Sequence, residues 1–159
     1  MKHYLPAERR GFTLIELLVV IGILAVLLAI TLIAINPARQ FSQANDTKRA
    51  SDVNAILNAI DQYAADNKGT LPTGIGTTVA TISDTGANLC DALVTKYLAA
   101  LPVDPLTNNG TPVSQDAVTH VCPTTYDTNY TVIKSANDNR ITVTAPATEI
   151  AAQKISVTR

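Results

Sequence analysis

The chain has 159 residues, 47% of them hydrophobic, a net charge of −1 and no tryptophan. That length admits one ordinary domain plus an appended segment. With aromatics at 4%, the core will be small and will gain from a cross-link or from packing on a long helix. No basic stripe interleaved with aromatic residues occurs, so no nucleic-acid partner is expected.

The charges are uneven. Lys2, Arg9 and Arg10 against Glu8 leave residues 1–11 at +2, while the remainder carries −3. A positive flank ahead of an apolar run predicts a cytoplasmic N-terminus with the C-terminal bulk outside. An ordinary secretory signal would place a small-residue cleavage site after the apolar stretch. Here Asn36-Pro37-Ala38-Arg39 follows Ile35. One alternative is an uncleaved single-pass anchor. The expectation is cleavage between Gly11 and Phe12, ahead of the apolar run, so that residues 1–11 are a leader and the span is retained.

Residues 12–35 form the apolar run, 24 residues in all, or about 36 Å as helix, enough to cross a hydrocarbon core. Glu16 is its only charge. A carboxylate at the mouth of a membrane-spanning length is expensive and marks a functional position. Gly22, Ala25 and Ala29 put small residues on one face, which permits close helix approach in lipid. Such residues are also simply common in membrane spans, so this stripe alone decides nothing.

Pro37 lacks an N–H and clashes with the preceding turn, which predicts a kink or local fraying there. Beyond it Val53, Ile56, Leu57, Ile60, Tyr63 and Ala64 recur at helical spacing, an amphipathic pattern over residues 36–68. Lys48 and Asp52 are placed for an i,i+4 pair, and Gly69 suits the C-cap. One long helix is therefore expected from about Phe12 to Lys68, half wholly apolar and half amphipathic.

Residues 69–159 read as a globular head. Thr70–Ser83 is rich in Thr and Gly and predicts a loop; Gly74-Ile75-Gly76 is no dinucleotide fingerprint. Leu89, Leu93, Tyr97 and Leu98 predict a short helix within Asn88–Ala100, ended by Pro102 and Pro105. Tyr130–Ile133 and Ile141–Ala145 predict a hairpin, with Ile155–Val157 as a third strand. The Asn137-Asp138-Asn139 turn between them offers oxygens for structural calcium, although such residues mostly serve turn geometry. No other cofactor or metal is expected. Cys90 and Cys122 lie too far apart for a CxxC pair, and a disulfide suits a head outside the membrane, two buried thiols being the alternative. His120 beside Cys122 lacks an orienting partner for nucleophilic chemistry. No catalytic residue is assigned, and an enzyme is not expected.

Arg10-Gly11-Phe12-Thr13-Leu14-Ile15-Glu16 resembles the prepilin cleavage motif of type IV pilins and type II secretion pseudopilins. The resemblance implies that a prepilin peptidase cuts after Gly11 and methylates the Phe12 amine. It implies an α+β lollipop fold, with a long N-terminal helix packed on a small antiparallel sheet. It further implies partners in identical subunits of a helical filament, the cytoplasmic membrane, and a membrane platform with its assembly ATPase. Glu16 would pair with the Phe12 amine of a neighbour and set register. The family's softening proline usually falls earlier than Pro37. Tyr97-Leu98-Ala99-Ala100-Leu101-Pro102-Val103-Asp104-Pro105 looks like a segment of major pseudopilins. The leading expectation is a type IV pilus subunit serving adhesion, motility or DNA uptake. The alternatives are the major pseudopilin of a type II secretion system and, from another class, a membrane-tethered adhesin or tip module. A membrane precursor would thus become an extracellular pilus or a periplasmic pseudopilus.

Overall fold

The computed structural model describes residues 11–150 and 154–159. They fall into two compact units, within residues 1–40 and 41–159. Apart from Gly11, the expected leader lies outside the described residues.

The first unit is dominated by helix α1, Leu14–Ile35, none of whose residues is buried. Thr13 caps its N-terminus in extended conformation. The helix ends at Asn36, which adopts a left-handed conformation (φ 45°), an excursion Asn tolerates better than most residues. Helix α2, Pro37–Asp66, starts on the next residue. Pro37 occupies a first-turn position, where its missing N–H costs nothing. The Asn36 carbonyl accepts from the Arg39 N–H at 3.1 Å. The break is therefore one residue wide and falls just before the proline.

Within the second unit, α2 buries Val53, Ile56, Leu57, Ala59 and Ile60. Its end is closed by Gly69, whose N–H reaches the Ala64 carbonyl at 2.8 Å with φ +85°, a conformation that favours glycine. A four-stranded antiparallel sheet follows, in sequential order: β1 (Ala80–Ser83), β2 (Asp127–Lys134), β3 (Ile141–Ala145) and β4 (Ile155–Thr158). Thr128, Tyr130 and Val132 of β2 and Ile141, Val143 and Ala145 of β3 point inward in strict alternation. The apolar side of α2 and the inner face of the sheet share one cluster of buried side chains. The α+β class expected from the sequence is the class found.

Two expectations are corrected. Thr70–Ser83 is not loop throughout, because β1 forms at its end and pairs Ala80 with Val132 and Thr81 with Thr131. Gly86 makes this possible. A Cβ there would lie 2.2 Å from the Thr81 carbonyl oxygen, to which the Ala87 N–H bonds at 2.8 Å. The helix expected within Asn88–Ala100 shrinks to α3, Cys90–Leu93. Thr95 turns left-handed (φ 72°) and its N–H bonds the Leu98 carbonyl, so Tyr97 and Leu98 leave the helical path.

Cys90 and Cys122 form a disulfide with Cα atoms 6.1 Å apart. It fastens the connection between α3 and β2, in which residues 114–121 include none that is buried. Replacing both cysteines by serine is expected to lower stability by about 3–4 kcal/mol, the loop-closure value for a loop of this length. Urea unfolding of the detergent-solubilised chain, with and without reductant, checks this. Equal midpoints would mean that the bridge constrains nothing.

Candidate assembly site and the ionic cluster of the head

The N-terminal site is built from Gly11, Phe12, Thr13 and Glu16. Phe12 is 84% exposed, and no atom approaches the position of a Cβ on Gly11. Among the described residues, nothing packs against Gly11 at that position or covers the Phe12 side chain. Four residues further on, Glu16 closes a capping box. Its carboxylate accepts from both the Thr13 N–H and the Thr13 hydroxyl at 2.8 Å, and the Thr13 hydroxyl in turn accepts from the Glu16 N–H at 3.3 Å. Thr at the cap with Glu three residues later is the spacing such a box requires. Glu16 thus has partners within its own helix, a role not drawn from the sequence.

Beyond Glu16, α1 presents apolar side chains all round, with a mean hydropathy of 3.2 and no buried residue. It is long and apolar enough to cross a membrane. Gly22 opens a shallow groove on it, flanked by Leu18, Val19, Ile23, Val26 and Leu27.

The head is organised by a second polar site. Arg49 is fully buried and extends its guanidinium to three carboxylates. Asp104 takes the fork, with Nε donating at 2.6 Å and Nη2 at 3.0 Å. Nη1 donates to Asp46 at 2.8 Å and to Glu149 at 2.9 Å. The Asp46 carboxylate also accepts from the backbone N–H groups of Glu149 and Ile150, each at 3.1 Å. Asp104 accepts from the Leu106 N–H, and its own N–H bonds the Thr128 carbonyl on β2. One cation therefore ties α2 to the Leu101–Pro105 segment and to the chain ahead of β4. Beside it, the buried Tyr130 hydroxyl donates to Asp52 at 2.9 Å, and Lys48 lies 3.8 Å from the same carboxylate.

These contacts set the titration. Burial alone would raise the Asp46 pKa, but the Glu149 N–H, the Arg49 guanidinium and the Ile150 N–H outweigh it and hold it below the ordinary value. For Asp52 burial prevails over the Tyr130 hydroxyl and Lys48, and its pKa is raised. Tyr130 is raised by burial and by the adjoining Asp52 carboxylate.

The sequence left Arg49 unnoticed. Its signal was position, because Arg49 precedes Val53 and Ile56 by four and seven residues and so falls on the apolar stripe. Two other candidates have partners within the head. Cys122 is bridged to Cys90 and offers no thiolate beside His120. In the Asn137–Asn139 turn, the Asp138 carboxylate accepts from the Arg140 N–H at 3.2 Å.

Removing Arg49 strands buried carboxylates. Arg49→Met is expected to cost about 3–5 kcal/mol, read as a lowered urea midpoint. The acid response separates the carboxylates. With a depressed folded pKa, Asp46 contributes stability that is present above its unfolded value of about 3.9 and lost as pH falls through the folded one. Asp52 has the opposite sign, and acid relieves it. Asp46→Asn should flatten the acid limb of the stability curve and Asp52→Asn should steepen it. Unfolding midpoints from about pH 6 downward check both; parallel limbs for the two variants would contradict this.

The family model for the prokaryotic N-terminal methylation motif matches residues 7–32. Type II secretion system core protein G of Escherichia coli (strain K12) is 34% identical over 106 residues, covering 64% of this chain and 70% of that protein. No solved structure gives a match.

Proposed function

Because the chain belongs to the family of type IV pilins and type II secretion pseudopilins, we propose that it is a non-enzymatic structural subunit that polymerises into a filament. One observation carries this reading: α1, a 22-residue apolar helix with no buried side chain. Water cannot hold such a surface cheaply, each fully exposed aliphatic side chain forgoing about 1.5–3 kcal/mol of burial. Lipid and a bundle of identical helices are the two environments that can.

On this reading the subunit is processed and assembled in the following order. A prepilin peptidase cuts the Gly11–Phe12 bond and methylates the new Phe12 amine. The subunit waits in the cytoplasmic membrane, leader removed and head outside, until an assembly platform driven by an ATPase extracts it. In the filament, Glu16 exchanges its bonds to Thr13 for the Phe12 amine of a neighbour. In a water-poor bundle that pairing is worth far more than on a surface, and a misplaced carboxylate is penalised. Glu16 thereby sets register.

Between the two filaments, the similarity to core protein G supports a secretion pseudopilus over the type IV pilus expected from the sequence. Deleting the gene distinguishes them, by loss of secreted proteins from the medium in one case and loss of surface filaments and motility in the other. A tethered adhesin that never polymerises would leave Glu16 with its local cap alone.

The mature N-terminus tests the reading directly. Mass spectrometry of the membrane-extracted protein is expected to find a chain starting at Phe12 and one methylene heavier than its sequence. Glu16→Leu should accumulate in the membrane at normal level and give few filaments by electron microscopy. Retention of Gly11, or full filament yield from Glu16→Leu, would overturn it.

A further inference from the structure

A cavity of about 560 Å³ opens in the head where the chain leaves α2, lined by residues 69–75 together with Lys134 and Asn139. That size lies within the range of small-ligand sites. The loop that forms it is held in shape. Pro72 is buried, and Gly74 packs so closely that a Cβ on it would lie 3.0 Å from the Ala87 Cα. The Lys134 N–H bonds the Gly76 carbonyl at 2.8 Å, which ties the loop to the end of β2. Leu71 and Ile75, half-buried against the core, supply the cavity's apolar surface.

The charge of this lining is one-sided. Lys134 is its one ionisable residue, and no carboxylate belongs to it. Lys134 is half-buried, yet among the described residues its ammonium has neither an ion pair nor a hydrogen bond. A lysine withdrawn from water calls for a counter-charge. The end of α2 does not meet that need, because the Tyr63 and Ala64 carbonyls already accept from the Asn67 and Gly69 N–H groups at 3.0 and 2.8 Å. The Thr70 and Thr73 hydroxyls and the Asn139 amide are exposed and likewise have no partner among the described residues.

A free cation beside two hydroxyls, an amide and an apolar surface fits a ligand with one carboxylate and several hydroxyl groups. A phosphate ester fits less well. It carries about −1.5 to −2 at neutral pH, which one ammonium does not balance, and the partial negative charge at the C-terminal end of α2 opposes a dianion. A peptide strand finds no free ladder, since β2 is already paired with β1 and β3.

We propose that this cavity binds a small sugar acid. Its carboxylate sits on the Lys134 ammonium, its hydroxyl groups on Thr70, Thr73 and Asn139, and its ring over Leu71 and Ile75. The site lies wholly within the head, so it does not rest on the filament reading.

The test uses the full-length chain in an uncharged detergent at fixed ionic strength, with sodium glucuronate as probe and glucose as its neutral counterpart. Reductive methylation with isotopically labelled formaldehyde keeps each lysine charged and gives it an NMR signal, and loss of one signal in Lys134→Arg identifies Lys134. Glucuronate is expected to move the Lys134 signal along a saturating curve while the other lysines stay in place, and glucose to leave it unmoved. Saturation transfer from the unmethylated protein to glucuronate should show binding about tenfold weaker in Lys134→Gln, the loss expected for one charged hydrogen bond, and retained in Lys134→Arg. Parallel shifts of all lysines, no shift at Lys134, or equal binding by Lys134→Gln would each overturn the site. Tighter saturation by inorganic phosphate than by glucuronate would overturn the ligand class. A Lys134 signal that shifts with protein concentration alone would give the carboxylate to a second copy, and it too overturns the small-ligand assignment.

Discussion

The constraint on which the rest depends is the exposure of α1. Its 22 residues include a stretch with a mean hydropathy of 3.2, and none of them is buried among the described residues. Ordinary amphipathic helices hide one stripe and wet the other, but this one has no side suited to water. Its stability must come from outside the subunit. The features around it can be understood as consequences: a capped entry at Thr13, a one-residue break at Asn36, and a head that folds around its own cluster.

That head faces the opposite problem, a core too small to be secure. Valine, isoleucine and leucine dominate it, and Tyr126 and Tyr130 are its buried aromatics among the described residues. Two devices compensate. The disulfide limits the freedom of the unfolded chain between α3 and β2. The Arg49 cluster joins segments distant in sequence, since Asp104 and Glu149 lie 55 and 100 residues from Arg49. A buried ion pair is weak support for net stability, because desolvation consumes much of the Coulombic gain. Its contribution here is geometric. A fork that accepts one carboxylate in two bonds defines where the Leu101–Pro105 segment sits against α2. Among the described residues, no buried side-chain nitrogen or oxygen is left without a partner.

The sequence was legible where a signal repeats. The apolar run, the amphipathic stripe from Val53 to Ile60 and the alternation in Tyr130–Ile133 and Ile141–Ala145 each speak through several residues at one period. It was illegible where a single contact decides. Strand β1 has only four residues and lacks clean alternation, because Ile82 and Ser83 are both buried; its place depends on pairing with β2 and on the space left by Gly86. The pattern over Leu89–Leu98 was sound as a period but was overruled at one residue, Thr95. Arg49 was legible in principle, as a charge on an apolar stripe. Such a residue is read as exposed until its partners are known, and these lie far along the chain.

The capping box sharpens the meaning of Glu16. Seen in sequence, it is an unpaired carboxylate in an apolar helix, costly enough to demand an external partner. In the structure it already holds the Thr13 N–H and hydroxyl, two donors at the open end of the helix. A local cap of this kind is worth about 1 kcal/mol, little enough to be given up for a charged partner. In the proposed filament, an amine carrying a full positive charge would need to outbid only hydrogen bonds to neutral groups. On that reading the carboxylate would be neither stranded before assembly nor locked away from it, and Thr13, which holds it until then, would share in the balance.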